Sequence, residues 1–350
     1  MPETGLTAPR IAIVGTGANG AGIGADLVNA GLDVTFIEQW PAHVEAMRAH
    51  GVTVNLPSGE STVTPVLVYN LCEVATLREP FDVVFVLVKA YDTRWACELI
   101  KPLLRAGGIA VGLQNGMTLD DMSEVLGADR TLGAVIEISA NMFEPGVVNR
   151  QSPRDRSWFA LGSFSEETRG REQEVADILA NAGTVEISDD IRSSKWMKLV
   201  VNAAELAPSA ILGLPLGAAA RVPGMKNFMV EAGNEAIRTA IALGNHARPI
   251  FGLDEVDISA PEKFSQRLLD RVLTHYTLDD TKTTILQDWL KGRRGESEEI
   301  NGLVVREQER LGGSAPVNAR VLELARRIEA GDLVPQPSNA ALLLNSHLKR

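Results

Sequence analysis

The sequence predicts an α/β domain followed by an all-α domain. Three observations carry that expectation. Near the start, four apolar residues lead into closely spaced glycines, a helix and a second apolar run. Two later stretches, Asp82 to Val88 and Ile109 to Leu113, are almost continuously apolar, as strands buried on both faces of a parallel sheet are. From Asp190 onward helical periodicity dominates and no further strand is expected.

The first element runs from Ile11 to Glu38. Ile11, Ala12, Ile13 and Val14 suit a buried strand. Gly15, Gly17 and Gly20 follow in the spacing G-x-G-x-x-G. A helix then carries Ile23 and Leu27 on one stripe and stops at Gly31, and a second strand, Val34 to Ile37, ends on Glu38. This strand–turn–helix–strand order is that of a Rossmann-type dinucleotide site. Gly15 lets the chain turn sharply, Gly17 lets the backbone approach a pyrophosphate, and Gly20 lets helix and strand pack closely. Ala18 and Asn19 open the helix, whose free N–H groups and positive dipole end face the phosphates. Glu38 stands 18 residues past Gly20, where an acid can accept hydrogen bonds from the ribose hydroxyls. Its charge would repel the 2′-phosphate of NADP, and Gln39 and Trp40 follow it rather than an arginine. NAD is therefore favoured over NADP. The bland alternative for Glu38 is a solvated acid at a strand end.

Pro41 to His50 reads as a helix, and Val52 to Asn55 with Ser61 to Val68 as an extended pair. The strand Asp82 to Val88 ends at Lys89 and enters a helix through Leu104, and Ile109 to Leu113 ends at Gln114-Asn115-Gly116. Open α/β sheets bind ligands at such strand ends. Lys89 can reach a phosphate or ribose, or be a surface lysine; Asn115 can position the nicotinamide or substrate, or simply form an Asn-Gly turn. Shorter, antiparallel-looking strands follow at Thr131 to Ser139, Gly146 to Asn149 and Ser157 to Gly162. A helix over Glu166 to Asn181 and a strand over Val185 to Ser188 complete the domain. The expected division is 1–189 for the Rossmann-type domain, 190–334 for the helical domain and 335–350 for a loosely attached tail that opens Pro-Gln-Pro-Ser.

Composition narrows the function. At 350 residues the chain can build two cores, and 45% hydrophobic with 23% charged residues is ordinary for a soluble globular protein. A net charge of −11 argues against a nucleic-acid partner. No apolar run approaches the roughly 20 residues needed to span a bilayer, and no signal peptide precedes the first strand, so the expected location is cytoplasmic. Cys72 and Cys97 read as ordinary thiols, and the five scattered histidines suggest no metal site.

Two stretches of the helical half could carry chemistry. In the first, Lys198 and Asn202 are four apart on one helix face, with Glu205 beside Asn202. A lysine in a mostly apolar helix suggests a partly buried ammonium, a usable proton donor near neutral pH; otherwise it snorkels to the surface. Lys195, after Ser193-Ser194 at the helix start, is expected to be solvated. In the second, a helix from Thr281 to about Lys291 breaks at Gly292-Arg293-Arg294-Gly295 and restarts with Glu296, Glu298 and Glu299 in its first turn, where the helix dipole favours acids.

These stretches resemble the ketopantoate reductase (2-dehydropantoate 2-reductase) family of pantothenate biosynthesis. The likeness covers nearly the whole chain: the glycine loop, Val88-Lys89-Ala90, Gln114-Asn115-Gly116, Lys198-Leu199 with Asn202, Ile285-Leu286-Gln287-Asp288, Gly292-Arg293-Arg294, Glu296, Ile300-Asn301-Gly302 and Ala315-Pro316-Val317-Asn318. The resemblance implies a helical domain of the 6-phosphogluconate dehydrogenase C-terminal type, a homodimer, and hydride transfer between a nicotinamide and a 2-keto acid. It also implies that Lys198 protonates the ketone oxygen, with Glu296 as a second catalytic or substrate-binding carboxylate. Asn115 and Asn202 would then bind substrate or the nicotinamide end, Thr284 would stand where the family uses a serine on the substrate carboxylate, and Lys89 would touch the cofactor; Glu205, a substrate-side candidate from its place beside Asn202, departs from the family pattern. One departure bears on substrate. The family continues Asn-Pro-Leu-Thr-Ala where this chain has Leu206-Ala207-Pro208-Ser209-Ala210. Replacing a hydroxyl-binding asparagine by Leu206 points to an alternative, a dehydrogenase of this fold acting on a different secondary alcohol or hydroxylated substrate with NAD.

Overall fold

A computed structural model describes residues 8–253 and 260–344. These form two compact units. One holds the described residues up to Gln114 together with Thr118–Ile191; the other holds Asn115–Met117 and the described residues from Arg192 on.

The first unit alternates strands and helices: β1 (Arg10–Val14), α1 (Ala18–Asn29), β2 (Asp33–Glu38), α2 (Pro41–His50), β3 (Val52–Asn55), β4 (Ser61–Thr64), β5 (Leu67–Asn70), β6 (Phe81–Val86), α3 (Thr93–Ile100), β7 (Leu104–Gly112), α4 (Leu119–Leu126), β8 (Thr131–Glu137), β9 (Ala140–Glu144), β10 (Val147–Arg150), β11 (Trp158–Ser163), α5 (Glu172–Leu179) and β12 (Thr184–Ile187). Eight strands make the main sheet in the order β12-β11-β8-β7-β6-β1-β2-β5. Its neighbours are parallel except β8 and β11. β1 has β2 on one side and β6 on the other, so the strand order reverses at its carboxyl end, where ligands of such sheets bind. Ile11, Ile13, Phe36, Val83 and Phe85 fill one core and Ala12, Val14, Ile37, Val84 and Val86 another, one on each face, as the unbroken apolar runs require.

A second sheet, β4-β3-β10-β9, lies over α1. The expected single extended segment from Ser61 to Val68 is interrupted at Pro65-Val66. β4 pairs with β3 in the small sheet, whereas β5 joins β2 in the main one. β9 was not anticipated, because Phe143 and Glu144 are exposed and the strand lacks an apolar run. Covered on two sides, α1 has no wide polar face: Gly20 through Ala25 are all buried. A Cβ at Gly24 would sit 2.3 Å from Phe36 Cζ, so only glycine lets the helix approach the main sheet there. Arg150, 2% exposed, ties the small sheet to α1 through an ion pair with Asp26, and its other N–H groups donate to Ser152 O, Ser157 Oγ and Ala182 O. Removing one partner of so buried a pair costs about 3–5 kcal/mol.

The second unit is helical: α6 (Ile191–Ile211, whose first residue belongs to the first unit), α7 (Leu216–Arg221), α8 (Met225–Ala242), α9 (Pro261–Arg271), α10 (Thr284–Leu290), α11 (Asn301–Arg310), α12 (Pro316–Glu329) and α13 (Ala340–Leu344). No strand occurs among its described residues. α6 is buried around its whole circumference from Ser193 to Ile211, which makes it the axis of the unit. Pro208 lies inside it and cannot donate to the carbonyl of Ala204. The disturbed turn is secured from the side: Ser209 Oγ donates to Glu205 O at 2.6 Å, and Thr283 Oγ1 donates to Leu206 O at 3.0 Å.

Three expectations are corrected here. Helix α11 begins at Asn301, so Glu296, Glu298 and Glu299 lie in the preceding turn and no helix dipole accounts for them. The tail is not loose as far as Leu344: Asn339 is 2% exposed and its amide donates to Ile211 O and Val334 O, while Leu343 is fully buried. Residues 345–350 lie outside the described chain. Lys195 is 3% exposed rather than solvated, because α6 is enclosed from its first turn.

Candidate active site

The first unit presents the glycine loop at the carboxyl end of β1. Gly15 has φ +90° and its N–H donates to Ile37 O. A Cβ there would lie 2.7 Å from Val88 N, and one at Gly20 would lie 2.2 Å from Gly15 O. Gly17 differs, since a Cβ on it would meet nothing within 4 Å. Space is therefore kept open in front of Gly17 while the glycines on either side are packed. Gly17 is the N-cap residue of α1 and offers no side-chain cap, which leaves the first-turn N–H groups of Ala18, Asn19 and Gly20 for an acceptor from outside. Asn19 Oδ1 is buried without a hydrogen-bond partner among the described residues. The cradle fits a dinucleotide pyrophosphate.

Glu38 behaves unlike either sequence expectation. It is 6% exposed, not solvated. Its Oε2 accepts from Thr16 N (2.8 Å) and Thr16 Oγ1 (3.0 Å), and its Oε1 accepts from Gln39 N and Trp40 N (both 2.9 Å). A carboxylate has about four acceptor positions, and all are taken by the protein. Glu38 therefore braces the glycine loop rather than offering lone pairs to a ribose. His43, which sequence reasoning left without a role, braces the same residue. It is fully buried, its Nδ1 accepts from Gly146 N, and its Nε2 donates to Thr16 O at 2.9 Å. Nothing in a lone histidine on a short helix signals this. Lys89 is half-buried just after β6. Gln114 Nε2 ties that strand end to the next, donating to Val88 O and Thr93 Oγ1.

In the second unit, Lys198, Asn202 and Glu205 all point from α6 and are 9%, 1% and 4% exposed. Asn202 Nδ2 donates to Asn115 Oδ1 at 3.0 Å, so these two expected site residues meet. Asn202 Oδ1 is buried without a partner among the described residues. The Lys198 ammonium lies 5.2 Å from the centre of the Phe251 ring. Lys195, one turn earlier, is also buried, and the loss of hydration brings its ammonium down to about 8.

The second constellation docks on the same helix. Asn301 Nδ2 donates to Ala203 O at 3.0 Å, which seats the turn containing Glu296 against α6. Glu296 is 3% exposed. Glu298 is a surface acid by contrast, held below the usual carboxylate range by Arg326. Thr284 Oγ1, at the start of α10, and Ser297 Oγ are buried without hydrogen-bond partners among the described residues. Unpaired buried hydroxyls are costly unless something outside the protein satisfies them, so both fit a polar ligand. Ser297 was missed; the only signal was a polar residue between two glutamates. Asn318, expected only as part of a motif, is structural. With its own and Val317's backbone N–H it donates to Glu235, tying α12 to α8.

No group of three or more His, Cys, Asp or Glu side chains among the described residues could hold a metal ion. No helix among them is long and apolar enough to cross a membrane.

Comparison with known proteins gives the same picture along the chain. The family model described as ketopantoate reductase PanE/ApbA matches residues 11–164, and its C-terminal counterpart matches residues 190–329. A 2-dehydropantoate 2-reductase of Archaeoglobus fulgidus is 28% identical over 323 residues, spanning 92% of this chain and 98% of that protein. One from Pyrococcus horikoshii is 27% identical over 325 residues, with the same coverage. Among solved structures, a PanE/ApbA family ketopantoate reductase from Ralstonia eutropha superposes with a TM-score of 0.76 at 28% identity, covering 92% of this chain and 99% of that one. D-mandelate dehydrogenase, solved with NADH and anilino(oxo)acetate, reaches a TM-score of 0.80 with the same coverage; at 21% identity that likeness speaks for the fold.

Proposed function

Because the chain belongs to the ketopantoate reductase family of NAD(P)-dependent oxidoreductases acting on CH–OH groups, we propose that Lys198 is its general acid–base residue in reducing a 2-keto acid to the 2-hydroxy acid. One observation carries this reading. Lys198 is almost buried on α6, one turn from the Asn202–Asn115 pair.

The dinucleotide, when bound, supplies the hydride for reduction or accepts it for oxidation. Gly15, Gly17 and Gly20, with the first N–H groups of α1, would hold its pyrophosphate. Lys198 Nζ donates a proton to the carbonyl oxygen as that oxygen gains charge, and takes it back in the reverse reaction. Asn115 and Asn202 orient the substrate, Thr284 Oγ1 hydrogen-bonds its carboxylate, and Glu296 holds a polar group of the substrate or the lysine. Lys198→Ala should lower kcat about 100-fold or more while NADH still binds. Near-normal turnover in that variant would remove Lys198 from the mechanism.

NAD is the preferred cofactor on this reading. Arg48, the first arginine after β2, is committed to Glu45, Glu73 and Val68 O. No residue from Glu38 to Pro41 carries a positive charge for a 2′-phosphate. Comparing kcat/KM for NADH and NADPH tests it.

A second reading concerns the substrate. Leu206 is 5% exposed and, by the family resemblance, stands where the family places an asparagine on the substrate. A 2-keto acid with an apolar side chain then fits better than hydroxylated ketopantoate. Assaying ketopantoate against 3-methyl-2-oxobutanoate separates the two. A homodimer and a cytoplasmic location go with the family reading, and light scattering tests the first.

A further inference from the structure

We propose that Phe251 is a positioning residue for Lys198, and that the chain holds Phe251 in a strained turn for that purpose. The inference rests on the reading of Lys198 given above. Phe251 has φ +62° and Gly252 has φ +64°, and Leu253 N donates to Ile250 O at 3.2 Å. Two central residues with positive φ define a turn that favours Asn, Asp or Gly at both positions. A phenylalanine in the first of them is a true outlier, and Phe251 is the only non-glycine residue with positive φ among those described.

Such outliers persist only where the surroundings over-determine them, and they gather at functional sites. Here the surroundings are visible. The ring is fully buried and packs against Tyr276 with centroids 5.7 Å apart, and Tyr276 in turn meets the edge of His275 at 4.9 Å. Arg271 Nε donates to the Phe251 carbonyl at 3.2 Å, pinning the backbone of the turn to the end of α9. The result is a ring face directed at the Lys198 ammonium, 5.2 Å from centroid to Nζ. The negative face of a ring attracts a cation and is indifferent to a neutral amine. Phe251 therefore fixes where the Nζ of a buried lysine sits while leaving all of its N–H protons for the substrate.

Fluorinated phenylalanines weaken the ring face stepwise with little change in size. Site-specific replacement of Phe251 by 4-fluoro-, 3,5-difluoro- and 3,4,5-trifluorophenylalanine should lower kcat progressively. The trifluoro protein should lose roughly 2- to 30-fold, the span of measured cation–π energies. KM, NADH binding by fluorescence and the melting temperature should stay at wild-type values. The probe reaction is whichever of ketopantoate and 3-methyl-2-oxobutanoate turns over faster with NADH. Phe251→Tyr should keep most of kcat and Phe251→Leu should not. In protein with 13C-methylated lysines, the Lys198 resonance should show an upfield ring-current shift that Phe251→Leu abolishes. A flat kcat across the fluorinated series overturns the proposal while Lys198→Ala is inactive. If Lys198→Ala is itself active, the underlying reading fails instead.

Discussion

Glu38→Gln separates a brace from a ribose ligand, because the structure sets the size of the effect. In the wild type each carboxylate oxygen accepts two hydrogen bonds. Gln must place its NH2 group on one side. Toward Gln39 and Trp40 it would face two backbone donors that cannot turn. Toward Thr16 it faces one such donor and a hydroxyl, which can rotate and accept. The second arrangement wins and leaves the buried N–H of Thr16 without an acceptor. An orphaned buried donor costs about 1–3 kcal/mol, and the remaining bonds lose their charge assistance, so the total is about 2–4 kcal/mol. For a unit of this size that lowers the melting temperature by roughly 5–15 °C. Differential scanning fluorimetry without nucleotide reads it directly. If melting is unchanged and only NADH affinity drops, Glu38 serves the ribose and the bracing argument is wrong.

Other outcomes follow from the same geometry. Gly17→Ala should leave melting unchanged, since the new methyl meets nothing, yet weaken NADH at least tenfold by filling the cradle; Gly20→Ala should damage both, and fluorimetry with NADH titration distinguishes them. Leu206→Asn should raise kcat/KM for ketopantoate relative to 3-methyl-2-oxobutanoate by about tenfold or more, the direction expected when a hydroxyl regains a partner; an unchanged ratio places Leu206 away from the substrate. Lys195 is lowered from 10.5 to about 8, so between those values the unfolded chain binds the proton and the folded one does not. Stability from this group therefore rises as pH climbs through that window and is lowest below it. Lys195→Met should melt higher than wild type at pH 7, by a margin that shrinks by pH 9.5.

Much of the fold was legible because its signals are local. Gly15, Gly17 and Gly20 sit between apolar runs, and the all-apolar strands can only be central ones. The same holds for the order of site residues along α6, where spacing alone puts Lys198 and Asn202 on one face. What escaped depended on long-range burial. Lys195 follows two serines at a helix start, the context of a solvated residue, and only the enclosure of α6 from its first turn shows that it is buried. Glu38 lies where a ribose acid belongs, but three of its four hydrogen-bond donors are backbone N–H groups, which no side-chain pattern records. Ser297 and Phe251 carry no motif; one is marked by an unpaired hydroxyl and the other by a backbone angle. The acids at Glu296 to Glu299 imitate a helix start because residues that favour tight turns and first helical turns overlap.

The small sheet over α1 has a consequence in time. Its central pairing is parallel, between β3 and β10, and Asn55 and Asn149 meet across a separation of 94 residues. A ribosome adds about 5–20 residues per second, so the β3–β4 hairpin waits roughly 5–20 s after emerging before its partner exists. Through that interval one edge of β3 and the outer surface of α1 are open to other chains. The exposed Ser61 and Thr62 of β4 give the far edge of the hairpin some polar cover beside the exposed Val63, but nothing comparable covers β3. Slowing translation between residues 64 and 147 should therefore raise aggregation during synthesis, in a protein whose finished form hides that edge completely.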